Sequence, residues 1–242
     1  MIVEALAHLT TRAAPGARRA GLVYGQAALL GRWLRHRKAW TPHLANCRRV
    51  IAAAAARTAR RDCVVVLGSG ALLDIPLTEL AGLFARVVLV DAAHPLHARV
   101  LARRLGGVEV RAESLVDLEG PVPRYRPWRP HAPVPDLVVA SMVVSQLPLV
   151  RDRDDAGAPS WRSDLVAAAV AEIWNGPGAA CVITETRRVH RARDGRVVAQ
   201  ADPLFGVAPP PADETWRWTM APAGEIGPEA VELDVAASWR PV

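Results

Sequence analysis

From residue 62 onward the chain alternates short, continuous apolar runs with segments of helix length, and this alternation constrains the fold more than any other feature. The runs are Cys63 to Leu67, Val87 to Val90, Val108 to Val110, Leu137 to Ala140 and Ala180 to Thr184. Unbroken apolar strands are buried on both faces, which requires a parallel sheet with crossover helices on each side. The intervening helices are expected at about Pro76 to Phe84, Leu96 to Leu105 and Ser163 to Trp174, with a Pro-rich connection over Pro121 to Pro135. Past Thr184 the periodicity changes: Arg196 to Ala199, Glu214 to Met220 and Val231 to Ser238 read as strands without helices between them. The expected fold is α/β: a doubly wound, mostly parallel sheet that ends in an antiparallel C-terminal hairpin.

Charge separates what precedes this body from the body itself. Residues 1–61 carry 12 Arg or Lys against the single acid Glu4, a sum of +11, whereas residues 62–242 sum to −5. The division predicted is a basic helical arm or lid over 1–61 and an α/β domain over 62–242. Within the arm, Val23, Ala27, Leu30 and Leu34 recur at helical spacing from Gly21 to Lys38. A break at Trp40 follows, and Thr41-Pro42 reads as an N-cap and first helical residue of a second helix through Val50. The first dozen residues are expected to be loose.

Several classes are excluded. No apolar run approaches the ~18–20 residues of a bilayer crossing, and the N-terminus lacks the pattern of a secretory signal, so a cytoplasmic protein is expected. Cys47, Cys63 and Cys181 are odd in number and widely spaced, which predicts reduced thiols, no disulfide framework and no metal site.

Ligands of such sheets bind beyond the carboxyl ends of the strands, where the strand order reverses. After the first strand stands Gly68-Ser69-Gly70, whose glycines permit positive φ and close approach of a ligand. Asp74 just beyond is either a helix N-cap before Pro76 or a carboxylate for a cationic ammonium. Asp91 ends the second strand about 20 residues past the glycines, where a carboxylate can hold a ribose diol. Glu113 and Ser114 follow the third strand and Ser141 the fourth.

These stretches resemble the class I S-adenosylmethionine (SAM)-dependent methyltransferases. The resemblance lies in Val64-Val65-Val66-Leu67-Gly68-Ser69-Gly70, Val87 to Asp91, Arg111 to Ser114 and Pro135 to Ser141, and spans about residues 62–242 in the family's linear order. It implies a seven-stranded Rossmann-like sheet over 62–242, SAM as cofactor and methyl transfer to a nucleophile. Gly68, Ser69 and Gly70 would lie against the methionine part, Asp91 on the ribose, Glu113 with Ser114 on the adenine side, and Ser141 nearby. Two departures stand out. Val66 takes the place of the family's acid two positions before the first glycine, and Leu72 replaces the usual third glycine; Asp74 can supply the missing carboxylate from the other side of the loop.

A base is needed only if the acceptor must lose a proton. The candidates are His43, Tyr24, Glu185 and Gln146. The alternatives are a helix-start residue for His43, helix packing for Tyr24, and pairing with Arg187 or Arg188 for Glu185. Trp216 and Trp218 are two apart in a strand and share a face, as core packing or an aromatic wall; the hairpin is given no catalytic role. Three functions remain open. One is a methyltransferase on an unidentified acceptor, with a small molecule favoured, another a noncatalytic SAM-binding module, and the third a nucleic-acid-modifying enzyme whose arm binds phosphates. Dinucleotide oxidoreduction is disfavoured by Leu72 as well.

Overall fold

The computed structural model describes residues 2–128, 134–150 and 160–242, so part of the Pro-rich connection lies outside the described residues. The sheet is built from β2 (Cys63–Leu67), β3 (Arg86–Asp91), β5 (Val108–Ala112), β6 (Leu137–Ser141), β7 (Ala179–Arg191), β9 (Glu214–Ala221) and β10 (Ala230–Arg240), in the order β5-β3-β2-β6-β7-β10-β9. The first five strands pair in parallel, and β10 and β9 add antiparallel to β7. A further strand, β8 (Val197–Ala201), pairs with the far end of β7. This is the expected doubly wound architecture. The chain leaves β2 in one direction to β3 and β5 and in the other to β6 and β7, so the strand order reverses between β2 and β6.

Alternate residues of each strand feed two cores, as a pleated strand requires. Val64, Val66, Val87, Leu89, Val139, Cys181, Ile183 and Leu233 pack with α3 (Arg37–Arg57), α4 (Leu77–Leu83) and α5 (Leu96–Leu105). Val65, Leu67, Val88, Val138, Ala140 and Val182 pack on the other face with α6 (Ser160–Trp174), Trp128 and the 3-10 helix Val144–Val150. Since Leu44, Cys47, Ile51 and Ala55 of α3 belong to the first core, this half of the basic arm is a layer of the sheet.

The arm differs from the sequence reading in three places. The N-terminus, expected to be loose, forms α1 (Ile2–Thr10) and β1 (Arg12–Ala13), and β1 pairs with β4 (Ala93–His94) beside the sheet. The break between α2 (Leu22–Arg35) and α3 falls at His36 and not at Trp40. Thr41 and Pro42 lie inside α3, where the Thr41 hydroxyl donates to the Arg37 carbonyl at 2.8 Å instead of capping a new helix. Packing of Trp40 and His43 against the hairpin overrides the local cap signal. Among the described residues no helix is long and apolar enough to cross a membrane.

The β6–β7 pairing depends on Gly178, which sits at φ +79° with the Pro135 carbonyl 2.2 Å from where a Cβ would stand. Gly178→Ala combines a left-handed alanine with a steric overlap on backbone, for an expected loss of about 2–5 kcal/mol. Urea unfolding would measure it, with a loss under about 1 kcal/mol contradicting this account.

Candidate functional site

At the carboxyl ends of the parallel strands, under α2, lies a cavity of about 540 Å³, within the ~300–1,000 Å³ of small-molecule sites. Its floor begins at the switch point. Gly68 at φ +76° is required by the chain itself, because a Cβ there would stand 2.6 Å from the Val143 Cβ and 2.8 Å from the Ser141 carbonyl oxygen. A Cβ on Gly70 would instead meet the Gln26 side chain of α2 at 2.1 Å, so the roof rests directly on the glycine loop. Leu72, in place of a third glycine, takes the same left-handed path at φ 60°, with its side chain buried in the first core. Met142, after β6, is likewise left-handed at φ 54° and lines the cavity. Such conformations cost ~1–3 kcal/mol for residues other than glycine and concentrate at functional sites.

Asp91 lines the cavity at the tip of β3. Its Oδ2 accepts the Gly70 N–H at 3.0 Å and its Oδ1 the Ala93 N–H at 2.9 Å. Each carboxylate oxygen retains a further lone-pair site for a ligand hydroxyl. Burial pushes the Asp91 carboxyl up to about 6, against the two backbone hydrogen bonds that favour its ionised form. Asp74 also lines the cavity. It is not a helix cap: α4 begins after Pro76 without any side-chain cap, and the Asp74 carboxylate takes a hydrogen bond from the Ser141 hydroxyl. Burial raises its pKa as well, and its charge adds to the rise at Asp91.

The remaining sequence candidates are placed as follows. Ser69 lines the cavity with its hydroxyl 2.9 Å from Nε2 of the buried His94. Ser114 lines it through the turn after β5, its hydroxyl used internally on Val116. Glu113 is outside the lining residues and donates its N–H to the Asp91 carbonyl. Gln146 stands at the mouth and Tyr24 points from α2 into solvent, 71% exposed. Glu185 is fully buried and forms a two-pronged ion pair with Arg188 at 2.8 Å for each contact; Arg188, not Glu185, lines the cavity.

His43 lines the cavity but is not equipped as a base. Its Nδ1 accepts the Trp216 indole N–H at 3.0 Å, and since an indole only donates, the imidazole proton must reside on Nε2. Burial pushes its pKa down to about 3. Trp218 stacks on the imidazole at 3.9 Å between ring centres, and Trp40 meets Trp218 edge-on at 4.7 Å. The sequence reading gave the hairpin no catalytic role and left Trp216 and Trp218 as core packing or an aromatic wall; Trp218, Met220 and Leu233 line the cavity, as do Gln26, Leu29 and Arg32 of α2.

No family model matches the chain, and no curated protein matches it. Among solved structures it is similar to DhpI in complex with SAH, at 17% identity over 94% of this chain and 98% of that one, with a TM-score of 0.45. It is similar too to the Burkholderia thailandensis 1,6-didemethyltoxoflavin N1-methyltransferase, at 18% identity over 94% and 91% of the two chains and a TM-score of 0.45. A Streptococcus thermophilus rRNA methylase is more distant, at 12% identity over 76% and 90% and a TM-score of 0.31.

The two glycines should respond differently to a methyl group. Gly68→Ala meets backbone and a β-branched side chain, whereas Gly70→Ala meets side-chain ends, the flexible Gln26 at 2.1 Å and Asp91 Oδ2 at 3.3 Å. Thermal unfolding should find Gly68→Ala about 1–2 kcal/mol more destabilised than Gly70→Ala; equal losses would show that the loop is held otherwise.

Proposed function

We propose that this chain is a SAM-dependent methyltransferase whose cofactor lies along the glycine loop, with Asp91 on the ribose hydroxyls. The observation that carries the reading is Asp91 itself. A carboxylate at the tip of β3, joined to the glycine loop through the Gly70 N–H and open to the cavity, is built to accept from a vicinal diol. The residues present fit the rest of the ligand. Asp74 and Asp91 line one region of the cavity, each disfavoured as an anion by burial, and a cationic ligand relieves both. The bare Gly70 leaves room beside Gln26 only because it has no side chain. Ser114 to Val116 present backbone and apolar side chains to a base.

When bound, SAM supplies an already activated methyl group on its sulfonium. The protein's own task is then alignment and exclusion of water. The α2 residues Gly25, Gln26 and Leu29 cover the cavity, and Trp40, His43 and Trp218 wall its far end. His43 there is neutral and offers only Nε2–H, so it can orient an acceptor by donating but not by removing a proton.

Calorimetry with S-adenosylhomocysteine (SAH) tests this. Binding is expected, weakened by about 1.5–3 kcal/mol in Asp91→Ala. Because the diol is accepted by the ionised carboxylate, affinity should fall as pH drops through about 6, and Asp91→Asn should flatten that dependence. Absence of SAH binding at millimolar concentration sinks the reading.

A further inference from the structure

We propose that the part of the cavity bounded by the hairpin is a subsite for an acceptor carrying an oxyanion, a carboxylate or a phosphonate or phosphate, on an apolar body, with Arg32 and Arg188 as its two anchors. The inference rests on the glycine-loop region being the cofactor site.

The strand register puts Arg188 there. Arg188 of β7 pairs with Leu233 of β10, which pairs with Trp218 of β9, so one row across three strands faces the cavity. Residues 185 and 188 would lie on opposite faces of a regular strand. The register shift between Asp234 and Val235 leaves Thr186 unpaired on β7, and this bulge brings Glu185 and Arg188 to the same face. Glu185, fully buried, then grips Nε and Nη2 of Arg188 and leaves Nη1 outside the pair. A second shift, between Val231 and Glu232, leaves Met220 unpaired on β9 and beside the cavity. Bulges of this kind re-aim side chains next to active sites.

Arg32 approaches from the roof. Its side chain is 18% exposed, and its Nε is buried without a hydrogen-bond partner. Its Nη1 donates to the Met220 sulfur at 3.2 Å, a weak acceptor. The nearest carboxylate, Glu225, stands 3.6 Å from Arg32 Nε. Its oxygens already serve Arg35 at 2.6 Å and His36 at 2.7 Å. Two guanidinium groups thus share one carboxylate, and a positive charge is left at the cavity wall. A buried donor without an acceptor is destabilising, and an incoming oxyanion would relieve it.

Charge in the lining is consequently segregated. Asp74 and Asp91 belong to the strand-end loops, Arg32 and Arg188 to the roof and the hairpin strands, and His43 is neutral. Leu29, Trp40, Trp218, Met220 and Leu233 form the apolar wall for the body of the ligand.

The test is titration of benzoate, phenylphosphonate and neutral benzamide into the full chain saturated with SAH. At least one anion should bind about tenfold more tightly than benzamide, and which anion does so identifies the oxyanion. Arg32→Gln should remove that preference with SAH affinity unchanged. Arg188 is tested as Glu185→Gln with Arg188→Gln, because losing Arg188 alone strands a buried carboxylate. Equal binding of benzamide, no binding of either anion, or anion affinity unchanged in both variants overturns the proposal. So does an equal loss of SAH affinity, which would assign the guanidinium groups to the cofactor. If the unaltered chain binds no SAH, the cofactor reading fails separately, and the same titrations without SAH still decide whether Arg32 and Arg188 hold an anion.

Discussion

The cavity exists because a neutral imidazole is locked between helix and hairpin. His43 of α3 stacks on Trp218, takes the indole proton of Trp216 and lies beside Cys47, whose thiol burial pushes well above its ordinary range. Trp40 adds an edge contact to Trp218 and donates its indole N–H to the Met220 carbonyl at 3.1 Å. Every polar atom named in this cluster but the Trp218 indole nitrogen has a partner. The cluster fixes α3 against β9, and because only His36 separates α3 from α2, the direction in which α2 leaves follows from it. The roof over the glycine loop is therefore set by aromatic contacts at the opposite edge of the sheet. The preference of aromatic pairs for stacked or edge-on geometry gives this joint an orientation as well as an energy.

The same edge shows why an antiparallel hairpin is useful on a parallel sheet. Parallel strands reach a ligand crevice through loops, and the segments after β2, β3, β5 and β6 line the cavity here. A parallel strand extended by antiparallel pairing with a hairpin can run past the loop layer and present side chains directly. β7 runs to Arg191, well beyond its last pairing with β6 at Ser141 and Ile183. With the bulge at Thr186, the alternation that buries Cys181 and Ile183 in the core turns to point Arg188 into the cavity.

The strands and crossover helices were legible because double burial imposes continuous apolar runs, and Gly68, Gly70 and Asp91 were legible because their spacing follows from one loop and one strand. Glu185 carried two readings, a base and a partner of Arg187 or Arg188, and the structure pairs it with Arg188. Asp74 carried two readings, and burial beside Ser141 excludes the cap. What could not be read is what depends on parity and on pairing between distant segments. Arg188 faces the cavity because of a bulge, which leaves no mark in the letters, whereas Met220 shares the face of Trp218 by simple alternation. Gln26 and Arg32 face it because of the angle between α2 and α3. At Thr41-Pro42 a local signal pointed to a helix start, and tertiary packing of the neighbouring aromatic residues prevailed.

The charge asymmetry takes on a different meaning in three dimensions. Much of the surplus in residues 1–61 is directed inward or across to the body. Arg49 pairs with Glu214, Arg35 and His36 with Glu225, Arg48 donates to the Leu73 carbonyl, and Arg18 to the carbonyls of His8 and Thr11. Exposed pairs such as Arg49 with Glu214 contribute little, at most ~1 kcal/mol. Glu225 is different: its side chain is only 10% exposed, and its neighbours hold its carboxyl down to about 2. It ties both ends of the α2–α3 junction to the turn after β9. The first core holds α3, whereas α2 buries only Val23, Ala27, Leu30 and Gly31. The roof therefore depends on this one carboxylate more than the rest of the arm does, and Arg32, the guanidinium left least satisfied by Glu225, is the one that faces the cavity.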